Sequence, residues 1–131
     1  MAKKFTYKGK TIEDMQKMSI SELAKIFPAR ARRSLTRGFN DQEKLLLLKV
    51  KKFKEGRTKK PVKTQVRDMI VIPEMVGIMI HIYNGKEYIP TLIIEDMVGH
   101  YLGEFAATRK KVAHSAPGIG ATRSSASASV K

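Results

Sequence analysis

Apolar residues recur with a helical period as far as Lys54 and switch to alternation beyond Met69, which divides the chain into a helical part and a sheet part. Ser19 and Glu22 have capping-box spacing, Met18 and Leu23 occupy staple positions, and Ile20, Leu23, Ala24 and Phe27 fall on one helical face. Thr11 with Asp14 predicts another helical start just upstream, and Pro28 should stop the helix that ends near Phe27. Asn40 and Glu43 cap a longer helix in which Leu46, Val50 and Phe53 form one stripe, with Lys44, Lys51 and Lys52 broadly opposite. Leu45, Leu47 and Leu48 widen the apolar surface, so this helix is expected to have two apolar neighbours.

Residues 55–64 combine Gly56 and Pro61 with Arg57, Lys59, Lys60 and Lys63 and read as an extended basic loop. Met69 to Ile72 are uninterrupted apolar, whereas Ile78, Ile80 and Ile82 alternate with Met79, His81 and Tyr83. Asn84-Gly85 is a strong hairpin signal and predicts a strand on either side. A two-residue type I′ turn there would set Tyr83 opposite Lys86, His81 opposite Tyr88 and Ile80 opposite Ile89. One face is then aliphatic, and the other offers Tyr83, His81 and Tyr88 either for base stacking or for plain cross-strand packing. Pro90 cannot donate to a ladder, so its strand belongs at an edge. Beyond Glu95-Asp96, the small residues Gly99, Gly103, Ala106 and Ala107 permit close approach to something bulky, in a short helix or a loop. Ser115 to Lys131 has few apolar anchors and is expected to be a flexible tail. The expected organisation is a single domain over 1–114, helical in 1–54 and sheet-bearing in 55–114, followed by the tail at 115–131.

Charge adds what patterning cannot. The 131 residues carry 26 Lys and Arg against 12 Asp and Glu, a formal +14. Such a surplus repels itself and favours a polyanionic partner. Residues 1–63 hold nineteen basic and six acidic side chains, and residues 64–131 hold seven and six, so the surplus is N-terminal. Its densest part runs from Arg30, Arg32, Arg33 and Arg37 through Lys49 and Lys52 to Arg57, Lys59, Lys60 and Lys63, with Lys110 and Lys111 a smaller second group. No apolar run approaches the ~20 residues of a membrane span. The first residues lack a secretory h-region, and Glu13-Asp14 argue against a transit peptide, so the expected location is the cytosol. With no cysteine, disulfides and thiolate metal sites are excluded.

Catalysis finds little support. His81, His100 and His114 are scattered. His100 and Glu104 stand four apart, a spacing that suits a metal or an acid/base pair only if a third group joins them. Gly118 to Arg123 lacks the Gly-Lys-Ser/Thr ending of a phosphate loop, and the tail serines have no positioned base. A glycine-rich extension ending in Arg123 suits threading between RNA segments, and a plain solvated tail is the alternative. No catalytic residue, metal site or cofactor is expected. Without zinc-finger spacing, a basic region joined to heptads or a clear recognition helix, folded RNA read through phosphates and 2′-hydroxyls is favoured over DNA.

The order Lys60-Pro61-Val62-Lys63-Thr64, Ile72-Pro73-Glu74-Met75-Val76-Gly77, Asn84-Gly85-Lys86 and Glu95 to Arg109, with Gly99-His100 and Gly103-Glu104-Phe105 inside it, resembles the S-nineteen family of small-subunit ribosomal proteins over residues 28–123. The resemblance implies an α+β fold: N-terminal helices packed on a small, mainly antiparallel three-stranded sheet, plus basic loops and a C-terminal extension. It implies a non-enzymatic constituent of the small subunit that binds rRNA of the subunit head, with a neighbouring S-thirteen protein, and with intersubunit bridges and tRNA near the extension. Carried over residue by residue, it implies RNA contacts at Lys60, Lys63, Thr64, Arg67, Asn84, Lys86, His100 and Arg109. Two positions depart from the bacterial pattern, Tyr101 where Lys is common and Arg67-Asp68 where more arginine stands. The long N-terminal part and His114 to Arg123 resemble the archaeal or eukaryotic branch, whereas the last six residues depart from it. The alternatives are a general basic nucleic-acid binder without ribosomal membership and a module that binds acidic proteins.

Overall fold

Three reciprocal capping boxes start three of the four helices. In this computed structural model, which describes residues 2–114 and residue 118, Thr11 and Asp14 cap α1 (Ile12–Lys17), Ser19 and Glu22 cap α2 (Ile20–Ile26), and Asn40 and Glu43 cap α4 (Asp41–Lys54). In the last box the Glu43 amide donates to Asn40 Oδ1 at 2.8 Å and the Asn40 amide to Glu43 Oε2 at 3.1 Å. Each box satisfies donors that the first helical turn leaves unpaired. Pro28 ends the α2 segment as the sequence implies, and it also serves as N-cap of a helix the apolar pattern did not announce, α3 (Ala29–Thr36). Its signal was short: Ala31 and Leu35, four apart and both buried, lie between Pro28 and Gly38.

Two members of the predicted apolar stripes stay at the surface. Ile20 and Phe53, each 36% exposed, sit near a helix end and at the margin of the packed layer, while Leu23, Phe27, Leu46 and Val50 are buried. Leu45 and Leu48 on α4 are 56% and 52% exposed, so the widened apolar surface of α4 is covered only in part.

The sheet has the order β1 (Val62–Thr64), β2 (Met79–Tyr83), β3 (Tyr88–Leu92). It is mixed, not strictly antiparallel: β2 and β3 pair antiparallel, whereas β1 runs parallel to β2, with Val62 opposite Ile80, Lys63 opposite His81 and Thr64 opposite Ile82. The end of the basic loop thus supplies a strand. Val62 and Thr64 turn inward and Lys63 outward, and residues 65–78 form a connection long enough for a parallel return. Met69 to Ile72 form no named strand. They are buried and lie against the Gly99–Leu102 segment, where the Val71 amide donates to the His100 carbonyl at 2.8 Å and the Leu102 amide to the Met69 carbonyl at 2.9 Å.

The hairpin turn also differs from expectation. Tyr83 pairs with Tyr88, Ile82 with Ile89 and His81 with Pro90, so the loop spans residues 84–87 and the partner strand is shifted by two. A type I′ turn needs positive φ at both central residues, and Asn84 does not adopt it. Its side chain instead accepts from the Lys86 and Glu87 amides at 2.9 and 2.8 Å, an Asx-type closure that lengthens the loop. A shift of two leaves each side chain on its predicted face. Two positive-φ residues in succession occur at Lys8-Gly9, where Tyr7 and Lys10 exchange backbone bonds of 2.8 and 2.9 Å. Pro90 stands in the edge strand as expected. Bonded pairs flank it at even spacing, so its missing N–H faces away from β2.

Helices and sheet share one core that includes Met15, Phe27, Leu46, Ile70, Ile80, Ile82 and Leu102. After β3 the chain forms two short 3₁₀ turns, Glu95–Met97 and Leu102–Phe105. Gly99 has φ of +88°, and a Cβ there would lie 3.3 Å from the Tyr7 hydroxyl and 3.7 Å from Phe27, the close approach its small size predicts. Among the described residues no helix is long and apolar enough to cross a membrane. The expected flexible tail at 115–131 falls, Gly118 apart, outside the described residues.

Candidate nucleic-acid interface

The basic loop is folded back on α4 by the way that helix ends. Gly56 takes φ of +72°, its amide donates to the Phe53 carbonyl at 3.2 Å, and the Arg57 amide donates to the Lys52 carbonyl at 3.0 Å. That bond pair is a Schellman closure, which reverses the chain and sets Arg57 beside the last helical turn. Residues 57–61 then run to β1, which hydrogen bonding to β2 holds in place. The result is a groove of about 610 Å³ between α4 and β1, lined by Lys49, Lys52, Arg57, Thr58, Lys60, Pro61, Val62 and Lys63. Lys49 and Lys52 come from one face of α4, and Lys49 Nζ also donates to the Lys63 carbonyl at 3.5 Å. A smaller recess of about 250 Å³ adjoins it, lined in part by Gln42, Leu45, Lys49, Lys63, Gln65 and Tyr88.

Among the described residues no carboxylate sits within pairing distance of the groove's lysines. The basic side chains that do meet a carboxylate among the described residues are Arg57, with Glu55, and His100, with Glu104, both at 2.9 Å. The Arg57–Glu55 pair is largely exposed and therefore weak, so it leaves Arg57 available to a stronger anion. A concave surface where five cations meet a single, exposed carboxylate, that of Glu55, concentrates anions, and phosphates spaced along a backbone suit it better than one small ion.

The remaining predicted contacts divide by what their side chains already touch. Arg30, Arg33 and Arg37 on or next to α3 are exposed, as are Lys59 in the basic loop, Lys86 in the hairpin loop and Arg109, Lys110 and Lys111 beyond the last 3₁₀ turn. Asn84 spends its side-chain oxygen on its own loop. Arg32 Nε donates to the Ala24 carbonyl at 3.1 Å and its Nη2 to the Phe27 carbonyl at 3.5 Å, so it caps the end of α2. Thr64 is buried, and its hydroxyl accepts from the Val66 amide at 3.0 Å. Arg67 is half-buried and donates to the carbonyls of Tyr83, Gly103 and Ala106 at 2.7, 2.6 and 2.7 Å. Arg123 lies outside the described residues.

The aromatic face is already in use within the protein. Tyr83 and Tyr88 pack at 5.0 Å between ring centres, Lys63 Nζ lies 5.6 Å from the Tyr88 ring, and Gln65 donates to the Tyr88 hydroxyl at 3.2 Å. Cross-strand packing, the plainer of the two readings, describes this cluster. Patterning had not singled out Gln42 and Gln65. Their signals were the Gln42–Leu45–Lys49 helical spacing and the strand spacing of Lys63 and Gln65. His100 Nδ1 does meet Glu104 at 2.9 Å, on a 3₁₀ turn open to solvent, and no third ligand-type residue joins them among the described residues.

Residues 33–114 match the family described as ribosomal protein S19. A relative from Cenarchaeum symbiosum (strain A), the small ribosomal subunit protein uS19, is 46% identical over 125 residues, which is 95% of this chain and 95% of the relative.

Proposed function

Since the chain belongs to the ribosomal protein S19 family, we infer that its groove between α4 and β1 holds the phosphate backbone of rRNA in the head of the small ribosomal subunit. The chain is a structural constituent of that subunit, of the archaeal or eukaryotic type, and binds rRNA. The observation that carries the site assignment is the groove itself, where Lys49, Lys52, Arg57, Lys60 and Lys63 converge and, among the described residues, the lysines meet no carboxylate. Each phosphate they neutralise releases counterions, so binding strengthens as salt falls. Arg30, Arg33 and Arg37, and Arg109 to Lys111, extend the contact beyond the groove. Lys86, Asn84 and His100 are further candidate contacts on the exposed loops.

Ribosome association follows from the family, with other ribosomal proteins as neighbours. The finer proposals are an S-thirteen neighbour, nearby intersubunit bridges, a tail that reaches toward tRNA, a non-enzymatic role and a cytoplasmic location. The division into one domain over 1–114 and a tail over 115–131 is likewise proposed.

The test is binding to a small-subunit rRNA head fragment, compared with unrelated structured RNA of equal length and with duplex DNA across a salt titration. Preference for the head fragment that survives physiological salt is the expected result. Equal affinity for all three, falling together with salt, would leave a general basic nucleic-acid binder.

A further inference from the structure

Arg67 is a cation that the fold has turned inward. Both hydrogens of its Nη2 are used, at 2.6 Å to the Gly103 carbonyl and 2.7 Å to the Ala106 carbonyl, and its Nη1 donates to the Tyr83 carbonyl at 2.7 Å. Its own carbonyl accepts from the Gly103 amide at 2.8 Å. The contact is close: a Cβ on residue 103 would lie 3.0 Å from the Arg67 carbonyl oxygen and 3.3 Å from its Nε. One guanidinium thus ties the end of β2 to both ends of the Gly103–Ala106 segment. A lysine ammonium keeps the charge but cannot span three divergent carbonyls, because its donors radiate from a single atom.

Ala106 is the last buried residue among those described, and Ala107 to His114 are all exposed. Arg109 follows it by three residues, so the cations at 109–111 begin within about 10 Å of the anchor. We propose that Arg67 is a positioning residue, which fixes the point from which Arg109, Lys110 and Lys111 reach RNA and acts on binding through that placement rather than through a phosphate of its own. The proposal rests on the reading of residues 109–111 as rRNA contacts. If the fork is lost, the anchor retreats to Leu102, which is fully buried, and the tether to Arg109 grows from three residues to seven. Effective concentration falls as about the −3/2 power of tether length, so affinity should drop roughly three- to four-fold.

The experiment compares head-fragment affinity for the full chain, Arg67→Lys, the triple variant Arg109→Ala/Lys110→Ala/Lys111→Ala, and the two combined. Arg67→Lys is expected to weaken binding about three- to four-fold alone and to have no effect in the triple background. A Gly-Ser-Gly-Ser insertion between Ala107 and Thr108 leaves the Arg67 cradle untouched, lengthens the tether to the same extent and should weaken binding by the same factor, even if Arg67→Lys fails to fold. The proposal is overturned if the insertion binds as tightly as the unaltered chain while the triple variant is weaker, or if Arg67→Lys weakens binding equally in both backgrounds. If the triple variant itself binds like the unaltered chain, the assignment of residues 109–111 to rRNA fails, and the positioning role fails with it.

Discussion

The α4–β1 groove and the Arg67 cradle both present basic side chains, and they put the charge to opposite uses. In the groove, lysines converge from a helix, a loop and a strand and meet no carboxylate among the described residues, so their charge is directed outward to a partner. In the cradle, a single arginine is absorbed by three main-chain carbonyls and organises the protein itself. A count of cations cannot separate these roles; their hydrogen-bond partners do. Arg32 is a milder instance of the second kind, since it caps α2 while staying exposed on its outer side.

The comparison is most easily broken by Arg67→Ala, which strands three carbonyls that had a charged donor. It should lower stability by about 2–4 kcal/mol, read from the denaturant midpoint at constant m. A loss below about 0.5 kcal/mol would place Arg67 with the surface lysines. Gly103→Ala probes the same cradle from the other side. Its Cβ meets main chain at 3.0 Å, and the strain should amount to about 1–3 kcal/mol in the same measurement.

The groove should answer in binding and not in stability. Lys60→Ala with Lys63→Ala is expected to leave the melting temperature nearly unchanged and to flatten the salt dependence of RNA binding by about one to two units of log–log slope. An unchanged slope would remove that loop from the interface. The smallest effect lies outside both regions, at the α1 capping box. The Thr11 hydroxyl, and then its amide, hold the Asp14 carboxyl below its usual range. A lowered carboxyl contributes stability above its unfolded value and loses it as pH falls through the folded one. The first turn of α1 should therefore fray in acid, with the Asp14 proton titration seen by NMR, while the RNA salt slope at neutral pH stays the same in Thr11→Ala.

Much of the helical half was legible because its signals are local. Thr11, Ser19 and Asn40 each act on a residue three positions away, and all three predicted starts are observed. α3 escaped because its buried pair, Ala31 and Leu35, is too sparse to stand out among arginines. In the sheet half, alternation placed Ile80 and Ile82 inward and the missing N–H of Pro90 put its strand at an edge, but the parallel partner β1 and the four-residue loop depended on distant pairing and on Asn84 closing its own turn. The basic groove was visible as a dense run of charge, yet its shape needed the Schellman closure at Gly56.

The sequence by itself determined the caps, the apolar faces, the N-terminal charge surplus and the motif order that marks the family. Those are properties of residue type and short spacing, which local sterics and hydrogen bonding carry. Tertiary structure alone decided which cations remain free for a partner. Arg67 meets carbonyls 16, 36 and 39 positions away, and nothing local to an arginine can say that such acceptors will be waiting.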